Sequence, residues 1–142
     1  MGDHVATAET EISATPAQVW TALTDPEQIK KYMFGTHVET DWQRGSPIMW
    51  KGEYEGKVYE DKGEIVEIEP ERRLRVTHFS PLSGQDDVPE NYHMLTYEIE
   101  ERRGRTHLSL SQDNNASAED AEHSKGNWEI MLAGLKEVVE RG

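Results

Sequence analysis

The sequence predicts an α+β chain: a seven-stranded antiparallel sheet covered by one long C-terminal helix, with two short helices after the first strand. Three observations carry this expectation. β-prone runs follow one another through the middle, joined by residues that tight turns prefer. Two helix-start signals lie in succession near the beginning. A single apolar stripe at helical spacing closes the chain. No internal repeat, linker or low-complexity tract breaks the 142 residues, a length typical of one domain, so residues 1–142 are expected to fold as one.

Residues 5–13 alternate and are β-prone, which makes them the first strand. Thr15-Pro16-Ala17-Gln18 spells a capping box, with Thr15 as cap, Pro16 at the first helical position and Gln18 reaching back. Asp25-Pro26-Glu27-Gln28 repeats the device for a second short helix, whose Ile29, Tyr32 and Met33 share a face and which Gly35 stops. Strands are then expected at 36–42, 47–54, 58–69, 72–79, 92–101 and 105–113. Their links carry Gly45-Ser46-Pro47, Glu55-Gly56, Pro70-Glu71 and Arg103-Gly104. Links this short require antiparallel pairing, because a parallel crossover needs a dozen residues or more. The exception is Ser80–Asn91, with Pro81, Gly84 and Pro89; a connection of that length is a functional lid or a loosely held loop. Ser117 caps the last helix, where Trp128, Leu132, Leu135 and Val139 form the apolar stripe. Gly126 inside it costs about 1 kcal/mol relative to Ala, which points to close packing there or to a kink.

Charge and composition exclude several partners. Asp and Glu number 28 against 15 Lys and Arg, a formal charge of −13, which repels phosphate backbones; neither nucleic acid nor a membrane is expected as partner. No cysteine is present, which removes disulfides, thiolate nucleophiles and Cys-ligated zinc. No apolar run nears the ~18–20 residues of a membrane helix, and no leader-like segment opens the chain. A soluble, cytoplasmic protein is expected.

Parity along the strands separates two faces. Ile48, Trp50, Gly52 and Tyr54 share one side, as do Leu74, Val76 and His78, then Leu95, Tyr97 and Ile99, then Leu108, Leu110 and Gln112. The opposite faces are polar. Tyr59 and Ile65 differ in parity from Val66 and Ile68, which a bulge near Gly63 reconciles. The run Glu64, Glu67, Glu69, Glu71 reads as a solvated sheet edge. Trp50, Tyr54 and Tyr97 point inward, either as core filling or as a wall against a ligand. His78 and Gln112 end otherwise apolar faces; each needs a hydrogen-bond partner, supplied internally or by a guest. Trp128 and the flexible Met131 lie toward the N-terminal half of the long helix, as core or as cavity lining. Phe34 stands at the exit of the second short helix, where it could gate an entrance.

Catalytic signatures are scarce. The six histidines show no metal-ligand spacing, so no metal and no cofactor are expected. Phosphate-binding glycine loops and a Gly-x-Ser-x-Gly elbow are absent, and the consecutive Glu100 and Glu101 face opposite sides of a strand.

One run of motifs carries more. Thr15–Pro26, Gly45-Ser46-Pro47-Ile48 with Trp50-Lys51-Gly52, and Tyr59-Glu60-Asp61-Lys62-Gly63 come first. The stretch His78–Gly84, Asn91-Tyr92-His93, Gly126-Asn127-Trp128 and Leu132–Lys136 follow. In this order and spacing they resemble the homologues of the activator of heat-shock-protein-90 ATPase. That is a branch of the helix-grip superfamily, which also holds START-related and birch-pollen-allergen-like domains. The resemblance implies a curved sheet gripping the long helix, with a cavity between them. In the wider superfamily such cavities hold largely apolar molecules. The expected function is therefore non-catalytic binding of a small, largely apolar molecule there, in a stress-response setting, with the residues singled out above by parity and position, Phe34, Trp50, Tyr54, His78, Tyr97, Gln112, Trp128 and Met131, as its contacts. The alternatives are a co-chaperone-like module binding a chaperone through its exterior, and a cavity enzyme like the superfamily's polyketide cyclases and aromatases, with His78 as general acid or base.

Overall fold

The computed structural model describes residues 4–33, 35–54, 56–80 and 85–141, the side chain of Tyr54 excepted. β1 (His4–Ile12) leads into α1 (Pro16–Thr24) and α2 (Pro26–Tyr32). Then follow β2 (His37–Glu39), β3 (Pro47–Tyr54), β4 (Lys57–Glu69), β5 (Arg73–His78), β6 (His93–Arg102), β7 (Arg105–Asn115) and α3 (Ala118–Arg141). The helix starts form as their sequences require. Thr15 Oγ1 accepts from Gln18 N at 3.2 Å while Gln18 Oε1 accepts from Thr15 N at 2.9 Å. Asp25 accepts from Glu27 N at 3.0 Å, and Ser117 from Asp120 N at 3.1 Å. Gly35, at φ +85°, ends α2 with its N–H on Lys30 O, a left-handed position that costs glycine least.

Every neighbouring pair of strands is antiparallel, in the order β1-β7-β6-β5-β4-β3-β2. The first strand pairs with the last, so β1 and β2 are the edges and α1 and α2 carry the chain between them. β4 is therefore an interior strand, and the expectation of a solvated edge along its glutamates is corrected. Glu67 instead faces Arg73 and Arg75 at 3.4 and 3.6 Å. The bulge falls at Val66, where the β4–β5 register shifts between Ile65 and Glu67. It puts both Ile65 and Ile68 on the inner side, as the parity conflict demanded. Gly63 serves a different purpose: a Cβ there would lie 1.7 Å from Thr77 O, so only glycine permits β4 and β5 to approach this closely. β2 spans only His37–Glu39 of the expected 36–42, and Trp42, within that range, lies in the left-handed region at φ 58°, outside the extended region of regular strands.

α3 lies across the apolar face. Its Met131, Leu132, Leu135 and Val139 join Ile12, Val19, Leu23 and Tyr32 in one buried cluster, which Ile65, Leu74 and Val76 of β4 and β5 extend. Leu95, Leu108 and Leu110 complete it from β6 and β7. Close packing of α3 falls at Gly134, where a Cβ would sit 3.3 Å from Tyr32 Cβ, and not at Gly126, which has nothing within 4 Å. The N-terminal end of α3 is tied to the sheet through Asn115, which is 3% exposed. Its Nδ2 donates to His4 O and Gln112 O, and its Oδ1 accepts from Ser124 Oγ. At the other end Glu140 accepts from Ser13 N and Lys136 Nζ, both at 2.8 Å.

Candidate functional site

The core cluster does not fill the whole space beneath α3. A cleft of about 350 Å³ remains between β3–β6, the exit of α2 and Trp128 of α3, lined by Met33, Thr36, Trp50, Tyr59, Asp61, His78, Ser80, Leu95, Tyr97 and Trp128. The strand register assembles it. Trp50 stands directly opposite Asp61 across β3 and β4, and Tyr97 stands opposite Leu74 and Leu110 in the next rows. Lys62 bridges Phe79, which makes Asp61 and His78 diagonal neighbours on one face, within reach of each other.

The polar chemistry of the cleft centres on this pair. His78 Nε2 lies 2.9 Å from Asp61 Oδ2, with the two side chains 21% and 17% exposed. The His78 ring meets Trp50 edge to face at 5.0 Å, a favoured aromatic geometry. Asp61 Oδ1 is buried and has no partner among the described residues, an arrangement that costs on the order of 1–3 kcal/mol until something donates to it. Nearby, the Tyr59 hydroxyl lies 2.5 Å from Thr36 Oγ1, which also donates to Met33 O at 2.6 Å. Tyr59 reaches that far because its ring lies over Gly52, where a Cβ would sit 2.5 Å from the phenol oxygen. Burial holds the Tyr97 phenol well above its ordinary pKa, so it is a neutral hydroxyl at physiological pH.

Of the residues the sequence singles out, Trp50, His78, Tyr97 and Trp128 come together around this cleft. Gln112 stands behind it: its Oε1 accepts from Trp128 Nε1 at 2.5 Å, which fixes the indole. Gln112 also borders a separate polar hollow of about 400 Å³ with Glu90, His93, Asn114 and His123. Met131 lies in the core cluster at 4% exposure, away from the cleft lining. Phe34 and the Tyr54 side chain lie outside the described residues, as do positions 81–84 of the long connection read as a lid or a loose loop. Two further lining residues, Asp61 and Tyr59, escape the sequence-based expectation although they share the parity of Ile65, the signal that could have found them. Thr36 and Met33 carry no such signal, since only the packing of the α2 exit against β4 brings them in.

The architecture is a helix-grip fold: a curved antiparallel sheet holding a long C-terminal helix, with short helices after the first strand. The chain belongs to the family of Activator of Hsp90 ATPase homolog 1-like proteins, whose family model matches residues 13–140. ChR145 from Cytophaga hutchinsonii, known from a solution structure, is 45% identical over 99% of this chain and 97% of its own, with a TM-score of 0.87. The Aha1 dimer from Colwellia psychrerythraea shares the fold at 18% identity and TM-score 0.75, covering 96% of each chain. CalU16 from Micromonospora echinospora does so at 21% identity and TM-score 0.70, over 92% of this chain and 73% of its own. No curated protein matches the chain. The family supports a ligand-binding or co-chaperone-like module. No helix among the described residues is long and apolar enough to cross a membrane.

Proposed function

We propose that this chain binds a small, largely apolar molecule in the cleft between the sheet and α3. The observation that carries the reading is the lining itself. Trp50, Leu95, Tyr97 and Trp128 supply apolar and aromatic wall, and His78 with Asp61 supplies one localised polar group. That combination, and a volume of about 350 Å³, match what small-molecule sites need. Affinity would come from burying ligand surface at roughly 25 cal/mol per Å², reduced by the cost of immobilising the guest. Among the described residues the large exposed apolar side chains, Val5, Val58, Val88 and Ile130, lie on β1, β4, the β5–β6 connection and α3, which supports the interior rather than the exterior as the binding surface.

Protein isolated from its own host should carry an additional mass in native mass spectrometry that denaturing extraction releases. Protein showing only its own mass, and leaving the fluorescence of N-phenyl-1-naphthylamine unchanged, would overturn the reading.

A second reading has one specific observation in its favour. A histidine oriented by a carboxylate is also the arrangement of a general base, so the cleft could transform what it binds. Turnover of an extracted molecule that disappears in His78→Ala would favour this enzyme; recovery of the molecule unchanged favours a carrier.

A further inference from the structure

The chemistry of the Asp61–His78 pair narrows the class of molecule, an inference that rests on the binding reading above. An ionised carboxylate has no proton to give, so in the 2.9 Å contact the hydrogen sits on His78 Nε2. A neutral imidazole then keeps its lone pair on Nδ1. Among the described residues no protein group bonds that nitrogen, and His78 lines the cleft with its side chain 21% exposed. The remaining oxygen of the carboxylate, Asp61 Oδ1, is buried and without a partner among those residues, so it offers the cleft no acceptor. With the imidazole neutral, the pair therefore presents the cleft one acceptor, His78 Nδ1, and no donor. No lysine or arginine lines the cleft among the described residues, and the chain carries a formal charge of −13, so an anionic head would enter without a counter-charge.

We propose that the cleft selects its ligand by a hydrogen-bond donor: an apolar body whose polar group, an O–H or N–H, donates to His78 Nδ1. Asp61 is the positioning residue, since its carboxylate fixes the tautomer that leaves Nδ1 free to accept. A ligand whose polar group only accepts, such as an ether or ester, leaves the imidazole lone pair desolvated and unmatched. A carboxylate ligand adds charge repulsion.

Matched probes on one frame test this with the full chain: naphthalenemethanol, its methyl ether, naphthylmethylamine and naphthoate, titrated while amide resonances of the cleft strands are followed by NMR. The alcohol and the amine should bind about tenfold more tightly than the ether, the value of one well-made hydrogen bond, and naphthoate should bind most weakly. An amine tighter than the alcohol identifies a charged donor, and equal affinity a neutral one; both support the donor rule. In His78→Phe the alcohol and ether should fall within about twofold of each other, with the ether's Kd unchanged. Asp61→Asn should erase or invert the preference, because an amide N–H can donate to Nε2 and move the imidazole proton to Nδ1. A merely structural role would weaken all probes together. Equal binding of alcohol and ether to the wild type, or a preference that survives both variants, overturns the donor rule and leaves the binding reading standing. If no probe perturbs the cleft, both fall.

Discussion

Gly63 and Gly126 look alike in the sequence and stand in opposite situations in the fold. At Gly63 a Cβ would lie 1.7 Å from Thr77 O, a collision with backbone that no rotamer relieves. Gly63→Ala should therefore cost at least about 2 kcal/mol, the scale of overpacking in a closed site, and, since the Cβ would also lie 3.3 Å from His78 N, should disturb the neighbouring Asp61–His78 contact. At Gly126 nothing lies within 4 Å and the backbone is helical, so the added methyl restricts only the unfolded chain. Gly126→Ala should stabilise the protein by about 0.5–1 kcal/mol. Urea midpoints measure both changes; an unaltered midpoint in Gly63→Ala, or a lowered one in Gly126→Ala, would contradict these assignments. Gly52 is intermediate, since the atom a Cβ would meet is the end of the Tyr59 side chain, which can move if it gives up its bond to Thr36.

At the scale of elements, α3 is held differently along its length. Its C-terminal half packs Leu132, Leu135 and Val139 into the core, and Glu140 clamps it to the β1–α1 junction. Hydrogen bonds from Lys136 and the Ser13 N–H hold the Glu140 carboxyl below its usual pKa. A carboxyl whose pKa is lowered on folding contributes stability above its unfolded value of about 4.3 and loses it as pH falls through the folded value. Glu140→Gln should consequently show a shallower fall in urea midpoint between about pH 6 and pH 3 than the wild type does. The N-terminal half of α3 stands over the cleft instead, and its Trp128 depends on one bond to Gln112. Gln112→Leu leaves that N–H without its partner, at a cost of about 1 kcal/mol. The freed indole should broaden and shift the tryptophan emission, whereas an unchanged spectrum would mean the bond does not fix the ring.

For the whole molecule the phenols of buried Tyr32 and half-buried Tyr97 set the alkaline limit. Tyr32, 5% exposed and donating to Ala22 O at 2.8 Å, and Tyr97 both have pKa values raised chiefly by burial. The folded state keeps these protons after the unfolded chain releases them, so the stability they contribute is complete below about pH 10 and is lost as pH rises beyond it. Tyr97→Phe should flatten that loss in denaturation curves taken on either side of about pH 10; an identical slope would show that the phenol ionises freely in the fold. The formal charge of −13 adds self-repulsion, which moderate salt screens over a Debye length of about 8–10 Å.

Much of this protein is legible in its amino-acid order. Thr15 with Gln18, Asp25 and Ser117 mark three helix starts because capping is local, and strand parity separates Trp50, His78 and Tyr97 from the polar face because side chains alternate. How those faces meet was settled only by the packed fold. Pairing of β1 with β7 made β4 an interior strand and turned Glu67 into a partner for Arg73 and Arg75. Contacts between residues far apart along the chain brought Asp61 beside His78 and set Thr36 on Tyr59. They also moved the close approach of α3 to Gly134. Periodicity states which side of an element a residue occupies, but register, bulges and the volume left between layers arise only when all elements pack at once.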